Sequence, residues 1–356
     1  MQALLFVLAS LVPTALAAAQ PARTPDTRLV VALLPLESTT FGRAAINVRN
    51  GLTAAWTQSP ARSQIELRFI NVGDQPNDII GAYNQALAAG ARAIIGPLTR
   101  DQVGALASAL AQSSPVNVPT IALNVAEGNP RIAQNLLLFG LPAEVEAQQV
   151  ARLAARDGHR RALVLTQANA LSRRLQQAFV EAFAAAGGAV VAIHAASTDP
   201  AALNKLRAAT QGANADVVFL AADLPTARAV RPFIDTQWPA YATSQLWSGA
   251  VDPAANFDLN GTRLLDMPWL LEPDHPAVMI YARPQPPLAP ENERLYALGI
   301  DAFRLAELAL ERGLGPGTLL DGVTGRLTVE RGQLISRELL GAQIRQGQLV
   351  IGIERK

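Results

Sequence analysis

The sequence contains no cysteine, and this absence excludes several kinds of chemistry. Its 356 residues can form no disulfide, zinc–thiolate site, iron–sulfur cluster, cysteine nucleophile or cysteine-linked lipid anchor. Histidine is also scarce, since His159, His194 and His275 are the only three and lie far apart along the chain. A local metal-binding motif is therefore absent, and we predict neither a metal nor another cofactor.

The chain also lacks an excess of charge of either sign. It has 30 Lys and Arg residues against 29 Asp and Glu residues, a net charge of +1, which argues against a nucleic-acid partner. Only 17% of residues are charged and 50% are hydrophobic, so the chain can bury a large core and is not disordered. A length of 356 residues fits about two domains.

Motifs of catalytic loops are missing as well. The sequence has no phosphate-binding loop with Lys, no G-x-S-x-G elbow and no S-x-x-K motif. Gly313, Gly315 and Gly317 follow a predicted helix, whereas a dinucleotide-binding loop follows a strand. A Ser–His–Asp triad would have to use one of three scattered histidines, which is a weak alternative. We therefore predict that the protein is not an enzyme.

The N-terminus has the pattern of a secretory signal peptide. Leu4–Ala19 is apolar or small without charge, and it ends in an A-x-A pattern at Ala15–Ala17. An uncleaved membrane anchor is the alternative, but the run is short for a bilayer span and contains Pro13. We predict a signal peptide over residues 1–19, a linker over residues 20–28, and a mature protein in the periplasm without a transmembrane domain.

Apolar runs alternate with amphipathic stretches along the mature chain. Leu29–Leu36 is typical of a buried strand, and Phe41–Trp56 has helical spacing. The alternation continues as far as residue 243 in two series of similar size, which predicts two α/β lobes with mainly parallel sheets flanked by helices. Glu291–Arg312 is then predicted as a long helix, and Gly325–Ile353 as antiparallel β-structure.

Polar residues follow the predicted strands of both series. Ligands of open parallel sheets bind at the carboxyl ends of strands, so these residues could line one cleft between the lobes. Helix capping or turn formation is the alternative role for each of them. The six candidate ligand-binding residues are Glu37, Ser38, Thr99, Asn124, Gln167 and Asp223.

A set of ordered segments resembles a known family. The segments are Leu33–Leu36, Ile94–Thr99, Val103–Ala107, Phe139–Ala147, Tyr241–Gln245, Asp266–Leu271, Leu295–Ala302 and Thr324–Thr328. The first two resemble the type I periplasmic-binding-protein fold in general. Together the segments resemble the LppC/LpoA-type penicillin-binding protein activators, from about Leu29 to the C-terminus.

The resemblance implies a two-lobed type I periplasmic-binding-protein fold with three crossovers between the lobes. We expect residues 29–140 with about 262–323 to form lobe 1, and residues 141–261 with about 324–356 to form lobe 2. The crossovers are expected near Gly140–Pro142, Ser244–Gly261 and Val323–Gly325.

The resemblance also implies a non-enzymatic regulator of peptidoglycan synthesis. Such proteins bind a class A penicillin-binding protein and stimulate its transpeptidase activity. Longer family members carry an N-terminal helical repeat domain, for which we expect no room here. Members are usually outer-membrane lipoproteins, and the missing cysteine does not support such a lipid anchor in this chain.

A solute-binding protein of an ABC transporter is the alternative function. The polar residues at the strand ends motivate it, with an amino acid or a similar small polar molecule as the expected ligand. For the regulator, Trp238, Trp247 and Trp269 are our candidates for contact with the protein partner, because they fall outside the regular α/β pattern. Packing in the core is the alternative role of these tryptophans.

Overall fold

The computed structural model describes residues 27–128, 130–247 and 253–352. The predicted signal peptide, and the predicted linker up to residue 26, lie outside the described residues. Within those three ranges, no helix combines the length and the apolar character needed to span a bilayer.

The first lobe is formed by the N-terminal series of strands and helices. Its elements are β1 (Arg28–Leu34), α1 (Gly42–Gln58), β2 (Ile65–Asn71), α2 (Asp78–Ala88), β3 (Ala93–Ile95), α3 (Arg100–Gln112), β4 (Thr120–Ala122) and β5 (Leu136–Leu138). The strands form a parallel sheet in the order β2-β1-β3-β4-β5. Alternate residues of β1 enter separate hydrophobic clusters on the two faces of the sheet, as its continuous apolar run predicts.

The second series forms the parallel part of the second lobe. Its elements are α4 (Ala143–Arg156), β6 (Arg161–Gln167), α5 (Ala170–Ala185), β7 (Ala189–Ala196), α6 (Pro200–Thr210), β8 (Val217–Ala221), α7 (Leu224–Val230), β9 (Ala240–Ala242) and β10 (Arg263–Asp266). Helix α7 ends at Val230 and continues as a 3₁₀ turn, because Pro232 has no N–H to donate.

The remaining elements complete both lobes. They are α8 (Pro268–Leu271), α9 (Pro290–Arg312), β11 (Leu319–Gly322), β12 (Gly325–Val329), β13 (Ile335–Glu338), β14 (Leu340–Arg345) and β15 (Gln348–Ile351). β11, β12 and β13 form a small antiparallel sheet, which a bridge between Leu138 and Leu334 attaches beside β5. β14 and β15 extend the second-lobe sheet, whose order is β15-β14-β10-β9-β8-β6-β7.

Within the described ranges the chain passes between the lobes three times, as expected, but two passages lie elsewhere than predicted. The first follows β5, as the sequence predicts. The second follows β10, not residue 261, because β10 pairs with β9 and β14 and so belongs to lobe 2. The third follows β13, not residue 324, because β12 pairs with β11 and β13. The expected lobe boundaries at 262 and 324 are therefore wrong.

Helix α9 returns to the first lobe and crosses α1 at very short distance. Two glycines allow this approach, one on each helix. A Cβ atom on Gly51 would lie 1.9 Å from the carbonyl oxygen of Tyr296, and one on Gly299 would lie 2.2 Å from that of Val48. Any larger residue would therefore force the helices apart.

Candidate functional site

The four predicted ligand residues of the first lobe lie at strand ends, as expected, and the side chains of two of them, Ser38 and Asn124, make local hydrogen bonds. The Ser38 hydroxyl oxygen accepts hydrogen bonds from the backbone N–H groups of Thr40 (3.2 Å) and Phe41 (2.9 Å). The Glu37 backbone N–H donates to Asn71 Oδ1 at 3.1 Å, and the Glu37 side chain is exposed. These contacts shape the turn between β1 and α1.

Asn124 and Thr99 lie at the next two strand ends. The Asn124 amide donates to the carbonyl oxygen of Leu98 (3.1 Å), and its Oδ1 accepts from the N–H of Val125 (3.0 Å). Thr99 occupies the N-cap position of α3, but its side chain makes no capping hydrogen bond. Asn124 therefore ties two strand-end loops together.

In the second lobe, Gln167 and Asp223 contact each other. Gln167 Nε2 donates to Asp223 Oδ2 (3.1 Å), and the Asp223 backbone N–H donates back to Gln167 Oε1 (3.2 Å). Asp223 Oδ1 also accepts from the N–H of Thr226 (2.9 Å) and so caps α7. The role for Asp223 that the structure shows is thus helix capping.

An ion-pair triad links the lobes across the cleft. Arg100, at the start of α3 in lobe 1, contacts Glu144 Oε2 through Nη2 at 2.9 Å. Arg174, on α5 in lobe 2, contacts Glu144 Oε1 through Nε at 2.7 Å. Partial burial raises the pKa of Glu144. The hydrogen bonds and charge of Arg100, together with the hydrogen bond from Arg174, outweigh that effect, so the pKa of Glu144 lies below its usual value.

A cavity of about 370 Å³ lies at the junction where the crossovers meet. Residues from both lobes and from the connecting segments line it. They are Leu141, Ala143, Glu146, Ser244, Gln245, Trp247, Asp266, Met267, Glu291, Arg294, Leu295, Arg337 and Leu339.

Buried charged groups form a connected network in this junction cavity. The Ser244 backbone N–H and hydroxyl both donate to the carboxylate of Glu146. Arg294 of α9 binds Asp266 with two hydrogen bonds, of 3.1 Å and 2.6 Å, and also donates to the carbonyl oxygen of Ser244 at 3.1 Å. The network therefore joins α4, β10, α9 and the segment after β9.

Burial changes the titration of this network. Burial, and then the charge of Asp266, raise the pKa of Glu146 to about 7. Burial lowers the pKa of Arg294, but Asp266 outweighs it, so that the pKa lies above its usual value. Burial lowers the pKa of Arg337, which also lines the cavity. Glu146 can thus change charge near neutral pH.

The junction residues were not among our predicted site residues. A signal for them was present, because Glu146, Ser244 and Asp266 each lie in one of the segments that carry the family resemblance. Asp301, in another such segment, accepts hydrogen bonds from the N–H groups of Val323 (3.0 Å) and Thr324 (2.7 Å). Three resembling segments, those of Glu146, Ser244 and Asp266, therefore meet at the connections between the lobes. Asp301 instead binds the turn between β11 and β12 within the first lobe.

The three candidate partner-binding tryptophans are buried or partly buried in the hydrophobic core. Trp269 is fully buried, its indole N–H donates to Glu293, and the Arg283 guanidinium lies 4.0 Å from its ring centroid. Trp247 is 9% exposed and lines the junction cavity. Trp238 is partly buried against the core of lobe 2. These side chains lie outside a regular α/β pattern because they fill space between the elements.

Metal ligands are not grouped anywhere in the part of the chain that the structure describes. No three His, Asp or Glu side chains there come together in a way that could hold a metal ion. His159 and His275 each lie near one aspartate, Asp216 and Asp321 respectively.

Comparison with known proteins identifies relatives over nearly the whole chain. The model of a family described as "LppC putative lipoprotein" matches residues 7–347. A "Penicillin-binding protein activator LpoA" from Pectobacterium parmentieri is 28% identical in an alignment that covers 83% of this chain and 49% of that protein. The chain thus spans about half the length of the curated relatives it matches.

Solved structures share the two-lobed fold. A "putative branched-chain amino acid ABC transporter" from Chromobacterium violaceum has a TM-score of 0.75 and 38% identity, over 89% of this chain and 100% of that one. The C-domain of LpoA from Haemophilus influenzae, described as "a regulator of PBP1A", has a TM-score of 0.75 and 24% identity, over 91% of this chain and 100% of that one. The expected type I periplasmic-binding-protein fold is therefore confirmed.

Proposed function

Because the chain belongs to the LppC family, we propose that it is a non-enzymatic regulator of peptidoglycan synthesis. In this proposal it binds a class A penicillin-binding protein and stimulates its transpeptidase activity. The observation that carries the proposal is the family match over residues 7–347, together with relatives named penicillin-binding protein activators.

The state of the strand-end residues supports a regulator over a solute receptor. A receptor for a small polar solute needs unoccupied hydrogen-bonding groups aimed into the cleft. Here Ser38, Asn124, Gln167 and Asp223 make hydrogen bonds within their own lobes. The triad around Glu144 also links the two lobes directly.

We further propose that the protein acts in the periplasm, where the transpeptidase domains of class A synthases face the cell wall. A signal peptide over residues 1–19 would deliver it there. The two lobes would then carry the activating function, since the Haemophilus C-domain with the same fold is described as a regulator of PBP1A.

A transpeptidase assay tests the proposal directly. Purified class A synthase from the same organism is given lipid-linked precursor, with and without an equimolar amount of this protein, and peptide cross-links are counted. We expect more cross-links with the native protein and no increase with heat-denatured protein. Unchanged cross-linking, with no association in a pull-down, would contradict the proposal.

An ABC-transporter solute-binding protein is the second candidate function. The observation that favours it is the 38% identity to the Chromobacterium chain described as a putative branched-chain amino acid ABC transporter. Thermal unfolding with a panel of amino acids and amides tests it, because a ligand at 100 times its Kd stabilises a protein by roughly 2.7 kcal/mol. A rise in Tm with one ligand would favour the receptor, whereas a flat panel would favour the regulator.

A further inference from the structure

A second concave surface lies between α4 of lobe 2 and the small sheet that is attached to lobe 1. This arginine groove has a volume of about 770 Å³, within the range of ligand sites in proteins. It meets the junction cavity only at its floor, through Arg337 and Leu339. The polar residues of the groove are Gln149, Arg152, Arg156, Arg160, Arg326, Thr328, Ser336, Arg337 and Glu338.

One face of α4 forms the first wall. Val145, Gln149, Arg152 and Arg156 follow one another at spacings of three or four residues, so their side chains lie in a row along the helix. Gln149 holds this wall to the other, because its amide donates to the carbonyl oxygen of Arg337 (2.8 Å) and accepts from the N–H of Leu339 (3.2 Å). These two hydrogen bonds hold the two walls of the groove together.

The guanidinium groups of the walls are free to bind an anion. Arg152 and Arg156 of α4 and Arg326 of β12 are exposed, and within the described residues none of the three makes a hydrogen bond or an ion pair. Arg160 donates to the carbonyl oxygens of Ala155 (2.7 Å) and His159 (2.8 Å), which hold it at the end of the groove.

The charge of the groove contrasts with that of the whole chain. Among its lining residues are five arginines and one acid, Glu338, whereas the chain as a whole has a net charge of +1. Such a concentration of one sign in a concave surface attracts ligands of the opposite sign. Guanidinium groups bind carboxylates through two parallel hydrogen bonds, so carboxylates are well suited to this surface.

Apolar residues between the arginines restrict the occupant further. Val145, Ala155, Leu265 and Leu339 also line the groove. A flat anionic membrane cannot reach a concave floor, and a glycan strand has few aliphatic groups to place on it. An extended polypeptide that carries both carboxylates and aliphatic side chains matches both features.

We propose that the arginine groove docks an acidic segment of a protein partner. The identity of the partner rests on the proposed function, according to which a class A synthase supplies the acidic segment. Arg152, Arg156 and Arg326 would pair with its carboxylates, while its aliphatic side chains would cover the apolar floor.

Two binding measurements test the groove with one pair of variants. The first measures the affinity of the full chain for purified class A synthase, and the second measures the fluorescence anisotropy of a labelled hexaglutamate peptide.

The test variant is Arg152→Gln with Arg156→Gln. The control is Arg43→Gln with Arg173→Gln, which removes the same charge from exposed helix positions outside the groove. Thermal unfolding checks that both variants fold.

We expect the test variant to bind both probes roughly tenfold more weakly, and the control to bind them like the wild type. Equal losses in the two variants, or no loss in either, would overturn the proposal. Displacement of hexaglutamate by a soluble disaccharide pentapeptide at equal concentration would also overturn it, in favour of the cell-wall polymer.

The two binding measurements can distinguish failure of the groove proposal from failure of the proposed function. If hexaglutamate binding depends on Arg152 and Arg156 but no synthase binds, the groove stands and the proposed function fails. If the synthase binds the wild type and the test variant equally well, the proposed function stands and the groove is not its docking surface.

Discussion

Glu146 is a buried acid whose protonation the fold itself controls. It receives two hydrogen bonds from Ser244 and faces the carboxylate of Asp266 across a cavity between the lobes. Burial and the charge of Asp266 raise its pKa to about 7, whereas an unfolded chain would leave it at its ordinary value of 4.5. The folded protein therefore binds a proton more tightly at this residue than the unfolded protein does.

This difference predicts how stability changes with pH. Since the folded pKa lies above the unfolded one, the contribution of Glu146 is fully present below about pH 4.5 and is lost as the pH rises through about 7. The full difference corresponds to roughly 3 kcal/mol. Glu146→Gln removes this dependence, because the amide remains neutral and still accepts a hydrogen bond through Oε1.

Urea denaturation at pH 4.5 and pH 8 measures the effect. We expect Glu146→Gln to be nearly as stable as the wild type at pH 4.5 and more stable at pH 8. Glu37→Gln serves as the control, because Glu37 is exposed, and its stability should follow that of the wild type at both values. An equal change for Glu146→Gln at both pH values would contradict the assignment.

At the scale of elements, the contact of α1 with α9 joins the two ends of the first lobe in sequence. The helices approach so closely that Gly51 and Gly299 face the backbone of the opposite helix. A methyl group on Gly51 would meet a carbonyl oxygen, which cannot move aside as a side chain can. The expected consequence of a larger residue is separation of the helices and loss of packing between them.

Gly51→Ala should therefore destabilise the protein by about 2 to 3 kcal/mol, through overpacking that only a backbone shift relieves. The free energy of unfolding in urea measures this loss. Gly81→Ala on α2 is a matched control, because nothing lies within 4 Å of its Cβ position. That change should stabilise the protein by about 0.5 to 1 kcal/mol, since glycine weakens a helix interior. A Gly51→Ala variant as stable as Gly81→Ala would disprove the close contact.

At the scale of the whole molecule, two lobes joined by connecting segments can move as units about those connections. The triad of Arg100, Glu144 and Arg174 opposes such a movement, because Arg100 belongs to lobe 1 whereas Glu144 and Arg174 belong to lobe 2. The side chains of Arg100 and Glu144 are 29% and 20% exposed, so solvent and salt screen the attraction in part. The triad is thus a weak ionic contact between the two lobes.

Glu144→Gln should shift the equilibrium toward an open arrangement of the lobes. If the triad contributes about 1 kcal/mol, the equilibrium constant for opening should rise by a factor of about five. Small-angle scattering should then show a larger radius of gyration, and 1 M salt should move the wild type in the same direction. Glu181→Gln is the control, because among the described residues Glu181 accepts a hydrogen bond only from Gln177 in its own helix. Identical scattering curves for the wild type and Glu144→Gln would show that the triad does not hold the lobes.

Local pattern was sufficient to predict most elements of the fold. The apolar run of β1, the helical spacing of α1 and the alternation of strands and helices are properties of neighbouring residues, and they led to the two-lobed architecture. The ends of elements were also accessible where a side chain binds the neighbouring backbone, as for Asp223, whose carboxylate caps the start of α7. The family resemblance added the order of the lobes and the proposed function.

What only the tertiary structure decided depends on residues far apart in sequence. The pairing of β10 with β14, the burial of Trp269 beneath α9 and the meeting of Glu146 with Ser244 all join distant segments. No local preference encodes such contacts, because each depends on where the whole chain places its partner. The sequence alone therefore determined the elements and the family, whereas long-range packing decided the lobe boundaries, the junction network and the arginine groove.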